Sequence, residues 1–251
     1  VLAALLAAQL FVGLYGIAQP VGWGHQGYHV AEHGLAARNL VRHDAWVPSH
    51  HHGQSAQDPD KTTYHHPILF HPYTAAAQQV FGEAPWVSRG VQVLFSLLAL
   101  WGLWALVRRV RDAPTAAFAC AAFVLTPLNV CFSSLPDHQL VAIAYALWSF
   151  VGLVDWLKGR GRGALALWLG ASLLAALTDW PFYPIAFLVF LGLAWRAWRS
   201  EGVVRRRFVV AAALYSVVIL TPFVAHFVSA ASSDRWADLM EAYEGRSAGS
   251  G

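Results

Sequence analysis

Charge is what this sequence has least of. Only 12% of its 251 residues are Asp, Glu, Lys or Arg, while 57% are apolar; soluble domains hold about 25% charged and about 45–50% apolar residues. That deficit excludes an ordinary soluble domain and points to an integral membrane protein. Cysteine is nearly absent. Cys120 and Cys131 share one apolar segment, offer neither a disulfide framework nor a CxxC metal motif, and read as small buried apolar residues. Strict apolar–polar alternation is missing too. The apolar runs are continuous, which excludes the two-residue period of a membrane barrel and leaves helices as the spanning element. The formal net charge is +3, but the Lys and Arg stand in short clusters between apolar runs. No basic stripe with interleaved aromatics exists, so a nucleic-acid partner is not expected.

What is there is a series of seven apolar segments, at residues 1–19, 88–107, 114–132, 139–157, 164–179, 181–196 and 208–229. Most are near the ~20 residues that cross ~30 Å of hydrocarbon as helix. The fold class expected is therefore all-α and integral to the membrane, with about seven transmembrane helices. Residues 1–19 fit a signal peptide less well, because a basic leading region is missing and the run is long. The fifth and sixth segments are short and meet at Trp180-Pro181; charge at both flanks favours two spans over a re-entrant pair.

The connections carry a topology signal. Arg108, Arg109 and Arg111 follow the second segment, Lys158, Arg160 and Arg162 the fourth, and Arg196, Arg199, Arg205, Arg206 and Arg207 the sixth. All fall on one side if every segment spans, and by the positive-inside rule that side is cytoplasmic. All twelve His then fall on, or close to, the opposite, outer side, together with Asp137 and Asp179. The transmembrane module is placed at 1–229 with an outer loop at 20–87, and 230–251 begins a polar outer segment that reads as truncated.

The outer loop is polar and rich in His and aromatics. Residues 28–42 mix Val30, Leu35, Leu40 and Val41 with Arg38, Asn39 and Arg42, the pattern of an interfacial helix. Residues 44–64 hold Pro48, Gly53 and Pro59 and read as loop. A second short helix is expected at 67–81, closed by Gly82.

Three sets of side chains here can carry chemistry. His29-Val-Ala-Glu32-His33 matches H-x-x-E-H, in which two His one turn apart bind zinc and the Glu activates water. It fits a polar interfacial helix face equally well. The remaining His, among them the run His50–His52, the pair His65-His66, and His71, suit transition metals as neutral imidazoles or a solvated loop. The pair lies between Tyr64 and Pro67, where a helix start holds it in place. Asp137 and Asp179 stand at the ends of apolar segments, where a carboxylate is costly unless solvated or paired; both also read as helix caps.

The order of these features resembles a known family. A first span leads to an outer loop with Tyr28, then Ala37-Arg38-Asn39, then Tyr64-His65-His66-Pro67, then Phe81-Gly82 through Trp86 to Arg89. This resembles the GT-C glycosyltransferases of the protein O-mannosyltransferase and aminoarabinose-transferase type, over roughly residues 1–200. The resemblance implies the N-terminal half of a polytopic enzyme in a bacterial plasma membrane. Such an enzyme moves a sugar from a polyprenyl-phosphate donor to a hydroxyl on a glycan, lipid or protein at the outer face. In the family the general base is an acidic residue shortly after the first span. Here the matching stretch is Gly24-His25-Gln26-Gly27-Tyr28, with no carboxylate. Glu32, one turn on, or His25 is left to act as base, both being chemically competent. The substrate-binding candidates by resemblance are Gln26, Tyr28, Arg38, Tyr64, His65, His66, Arg89 and Asp137. Arg89 also reads as an anchor that snorkels to the interface. A divalent metal held by Glu32, His29 and His33 is the one cofactor the residues allow. Two rivals stay open: a non-catalytic membrane protein, either a degenerate transferase or a transporter, and a zinc membrane peptidase.

Overall fold

The computed structural model describes residues 1–15, 17, 25–43, 67 and 69–232; the side chains of His25, Gln26, His29 and residues 229–232 fall outside that description. The described residues form ten helices and no strand: α1 (Leu2–Tyr15), α2 (His25–His43), α3 (Phe70–Phe81), α4 (Pro85–Val110), α5 (Ala113–Leu125), α6 (Pro127–Phe132), α7 (His138–Leu157), α8 (Gly161–Ala176), α9 (Phe182–Trp198) and α10 (Gly202–Ser232). The two interfacial helices expected in the polar loop are α2 and α3, each within a turn of its predicted bounds. Of the apolar segments, α4, α7 and α10 are long and apolar enough to cross a membrane, while α1, α5, α8 and α9 are shorter apolar helices. The expected segment 114–132 is not one helix. It breaks at Thr126, because Pro127 has no N–H to continue the ladder, and resumes as the short α6.

Local signals explain several of the helix ends. Gly82 terminates α3 with φ 84°, a conformation that glycine reaches without a Cβ clash, and its N–H donates to the Gln78 carbonyl. Asp112 caps α5 by accepting from the Thr115 N–H at 2.9 Å, and Asp137 caps α7 by accepting from the Gln139 N–H at 3.3 Å. Asp179 accepts from the Trp180 N–H at 2.8 Å. It therefore lies ahead of α9 rather than at its cap, which is Pro181.

The helices pack pairwise. α4 lies against α7, α5 and α1; α7 lies against α8; α9 and α8 both meet α10. Small residues set the close approaches, as expected where lipid rather than water surrounds the bundle. A Cβ on Gly152 of α7 would stand 2.4 Å from the Trp168 nitrogen of α8, and one on Gly13 of α1 would stand 2.9 Å from Val93 of α4. An aromatic core follows, with Trp168 stacked on Tyr215 at 5.0 Å between centroids and tilted against Trp156 at 5.4 Å. The outward faces stay apolar: Phe118, Leu125, Leu188, Trp198 and Val217 are all largely exposed. An apolar belt of this kind marks a lipid-facing surface.

The two ends of the bundle differ. At the basic end, the Asp155 carboxylate of α7 takes Arg109 of α4 and Arg160 of the α7–α8 turn, each at 2.9 Å. Lys158 donates to the Arg109 carbonyl, and the Arg207 guanidinium lies 4.5 Å over the Trp156 ring. The other end carries α2, α3 and the buried His33, His71 and His138.

Candidate active site

Buried polar side chains are costly inside a membrane bundle unless they are partnered or used. Here they concentrate where α2, α3, α4 and the start of α7 converge. His33 and Asn39 on α2, His71, Thr74 and Gln78 on α3, Arg89 and Gln92 on α4, and Asp137 and His138 at α7 are all buried. On α3 the three polar residues follow helical spacing, so they form one stripe turned inward.

Several bonds fix these helices to one another. Gln78 donates its side-chain N–H to the Gly34 carbonyl at 3.1 Å, joining α3 to α2. Tyr145 on α7 donates its phenol proton to the Tyr73 oxygen on α3 at 2.7 Å. The Leu69 N–H donates to the Leu177 carbonyl at 3.1 Å, so the start of α3 is held by the end of α8. At the rim, Arg42 forms a bidentate pair with Glu83, at 2.6 and 2.7 Å.

The residues predicted to carry chemistry fall into two groups along α2. Tyr28 and Glu32 sit one turn apart on its outward part. The Tyr28 phenol is raised above its ordinary 10.0, first by the Glu32 negative charge, then by burial, then by the hydrogen bond it makes to that carboxylate. Arg38 is half-buried, and its Nε has no hydrogen-bond partner among the described residues. A buried guanidinium N–H left over in this way suits a phosphate or carboxylate oxygen brought by a ligand. Arg89 of α4 is buried rather than snorkelling, and its Nη1 donates to the Ile17 carbonyl at 3.2 Å.

The inward face of α2 presents His33. Its Nδ1 lies 3.2 Å from His71 Nε2. The His138 ring closes the set, with centroids 4.8 Å from His33 and 5.3 Å from His71. Phe70, fully buried, turns edge-on to both His33 and His138 at 5.3 and 5.4 Å.

Comparison with known proteins bears on this arrangement. Residues 65–226 match the family described as dolichyl-phosphate-mannose-protein mannosyltransferase. That span covers most of the chain, from the start of the α3 region to the last turns of α10. The chain belongs to this family.

The dolichyl-phosphate-mannose-protein mannosyltransferase family consists of GT-C glycosyltransferases, so the family resemblance read in the sequence is established, as is a helical membrane protein. The fold is similar to the crystal structure of ArnT from Cupriavidus metallidurans in the apo state, with a TM-score of 0.68 and 16% identity, over 95% of this chain and 43% of that one. At that identity the likeness shows the fold alone, and the chain spans less than half the length of the ArnT chain. No curated protein sequence matches significantly.

Within this mannosyltransferase-family fold, the structure brings together Tyr28 with Glu32, and His33 with His71 and His138. It sets Asp137 at the α7 cap beside His138. Tyr64, His65 and His66 lie outside the described residues, and His25, Gln26 and His29 belong to the first turns of α2 without described side chains. Sequence reasoning did not join His71 and His138 to His33. The inward stripe His71–Thr74–Gln78 on an otherwise apolar helix was the available signal.

Proposed function

We propose that this chain is the membrane-embedded, N-terminal part of a glycosyltransferase. It moves a sugar from a polyprenyl-phosphate donor to a hydroxyl of a glycan, lipid or protein at the non-cytoplasmic face of a bacterial plasma membrane. The observation that carries the reading is the buried polar seam under α2 and α3, in a chain of the mannosyltransferase family. In this reaction the acceptor oxygen attacks the anomeric carbon. The anomeric carbon–phosphate oxygen bond breaks, polyprenyl phosphate leaves, and the acceptor proton passes to a base.

Glu32 is the base in this reading. It is a carboxylate on the exposed side of α2, oriented by Tyr28. Arg38 faces the developing negative charge of the leaving phosphate, which fixed donors stabilise. His25, His65 and His66 are the further candidates near the donor, with Gln26 and Tyr64 beside them. The seven apolar helices span with their basic connections on the cytoplasmic side, which puts the histidine-bearing end outside. The mannosyltransferase family favours transfer over the transporter and peptidase readings that the residues alone leave open.

The experiment is turnover by the full-length protein in proteoliposomes, supplied with polyprenyl-phosphate-linked sugars and assayed for released polyprenyl phosphate. Release that disappears in Glu32→Gln supports the assignment. Full release in Glu32→Gln that disappears in His25→Gln moves the base to His25. Failure with every donor favours a degenerate, donor-binding protein.

A further inference from the structure

We propose that His33, His71 and His138 form a transition-metal site, of the class that takes Zn2+, at the junction of α2, α3 and α7. The three residues come from three helices, yet their ligand nitrogens all lie within 4.8 Å of one another, and all three are buried. Two imidazoles on one tetrahedral zinc, with Zn–N bonds of about 2.0–2.1 Å, hold their nitrogens about 3.3 Å apart. His33 Nδ1 and His71 Nε2 are already at 3.2 Å. The third nitrogen, on His138, lies within 4.8 Å of those two. The chemistry of the set is selective: three imidazoles with no sulfur suit zinc, copper or nickel and not magnesium or calcium, which take oxygen.

The surroundings fit a bound cation. Phe70 walls one side and keeps the rings edge-on, as the apolar shell of a metal centre does. Asp137, buried at the α7 start directly before His138, offers compensating charge. Three protein ligands leave a fourth position for water or another oxygen. The ligand set differs from the one that H-x-x-E-H spacing suggests, since two of its members come from α3 and α7. The ion would tie both interfacial helices to a membrane helix, and this holds whether or not the chain transfers sugar.

The test is metal binding by the full chain in detergent, without a polyhistidine tag, stripped by chelator and reloaded with Zn2+ or Co2+. About one tightly held zinc per chain is expected, with an intense visible Co2+ spectrum of a four-coordinate nitrogen-rich site. Zinc should raise the melting temperature, because it binds the folded state. His33→Gln, His71→Gln and His138→Gln should each weaken binding by more than about tenfold and abolish the shift. A variant with His50, His51 and His52 all replaced by Ala should keep both. Zinc retention unchanged in the three Gln variants, or a wild-type chain that binds no zinc tightly and gives only a weak octahedral Co2+ spectrum, overturns the site. Because no donor is present, such a failure leaves the transferase reading standing, and a failed transfer assay leaves the metal site standing.

Discussion

Gly152 of α7 meets Trp168 of α8 backbone to backbone. A Cβ at Gly152 would lie 2.4 Å from the Trp168 nitrogen, 2.8 Å from its Cα and 3.0 Å from the Ala164 carbonyl oxygen. None of these atoms belongs to a side chain that can swing away. Gly152→Ala should therefore push α7 and α8 apart and cost roughly 1–3 kcal/mol. A fall in melting temperature in detergent, with the neighbouring Gly170→Ala as a control in open space, measures it. An unchanged melting temperature refutes the close approach.

The Tyr145–Tyr73 bond makes a second, local prediction. It joins α3 to α7 at 2.7 Å and its donor is half-buried. Tyr145→Phe and Tyr73→Phe should each cost about 1 kcal/mol. The double variant should cost little more than either alone, since both remove one bond. Additive losses would show that the phenols act independently.

Asp155 anchors the basic end. Its carboxylate accepts from Arg109 and Arg160, and its own side chain is only 11% exposed. Asp155→Asn keeps the shape but leaves two guanidinium groups without their charge partner, at a cost of about 1.5–3 kcal/mol. Raising the salt concentration should recover little of it, because Arg109 is mostly shielded from solvent. Asp112, an exposed N-cap that accepts from the Thr115 N–H, is the comparison residue, with a much smaller loss expected for Asp112→Asn.

The Tyr28–Glu32 contact predicts a titration. The phenol is raised above 10.0, chiefly by the Glu32 charge. A raised acid is protonated more readily in the folded chain. Its stabilising bond is thus complete below the unfolded value and is lost as pH rises through the folded one. NMR of tyrosine labelled at the ring carbon bearing the hydroxyl should show one resonance titrating late, moving back toward 10.0 in Glu32→Gln. If that resonance does not move, the two side chains are not coupled.

Glu32→Gln should also lower turnover of the full-length protein by about 10²–10⁴-fold, the usual worth of a general base. The KM for donor should change little, because the amide fills the same space. Arg38→Gln should do the reverse in part, raising KM for the lipid-phosphate donor as a lost charge-assisted contact does. Equal effects on KM and turnover in both variants would remove the division of roles.

Much of this molecule was legible in one dimension. Low charge, continuous apolar runs and clustered Arg state that the chain lives in lipid as helices, because unpaired backbone and solitary charge are expensive there. Gly82 and Asp137 mark helix ends because caps act within one turn of chain. The order of Tyr28, Ala37-Arg38-Asn39 and Tyr64-His65-His66-Pro67 carried the family, which residues 65–226 then matched.

Other features needed the fold. The break at Thr126-Pro127 was visible as a proline, yet whether the chain kinks or starts a new helix depends on what packs beside it. The closeness of Gly152 to Trp168 is a property of two helix surfaces. The meeting of His33, His71 and His138 is the clearest case: their separations along the chain carry no information about rings 5 Å apart. Local sequence determines which segments become helices and where they stop, since those forces act over a few residues. Only packing decides which faces of distant helices confront one another, and that is where the buried histidines and the seam around them arose.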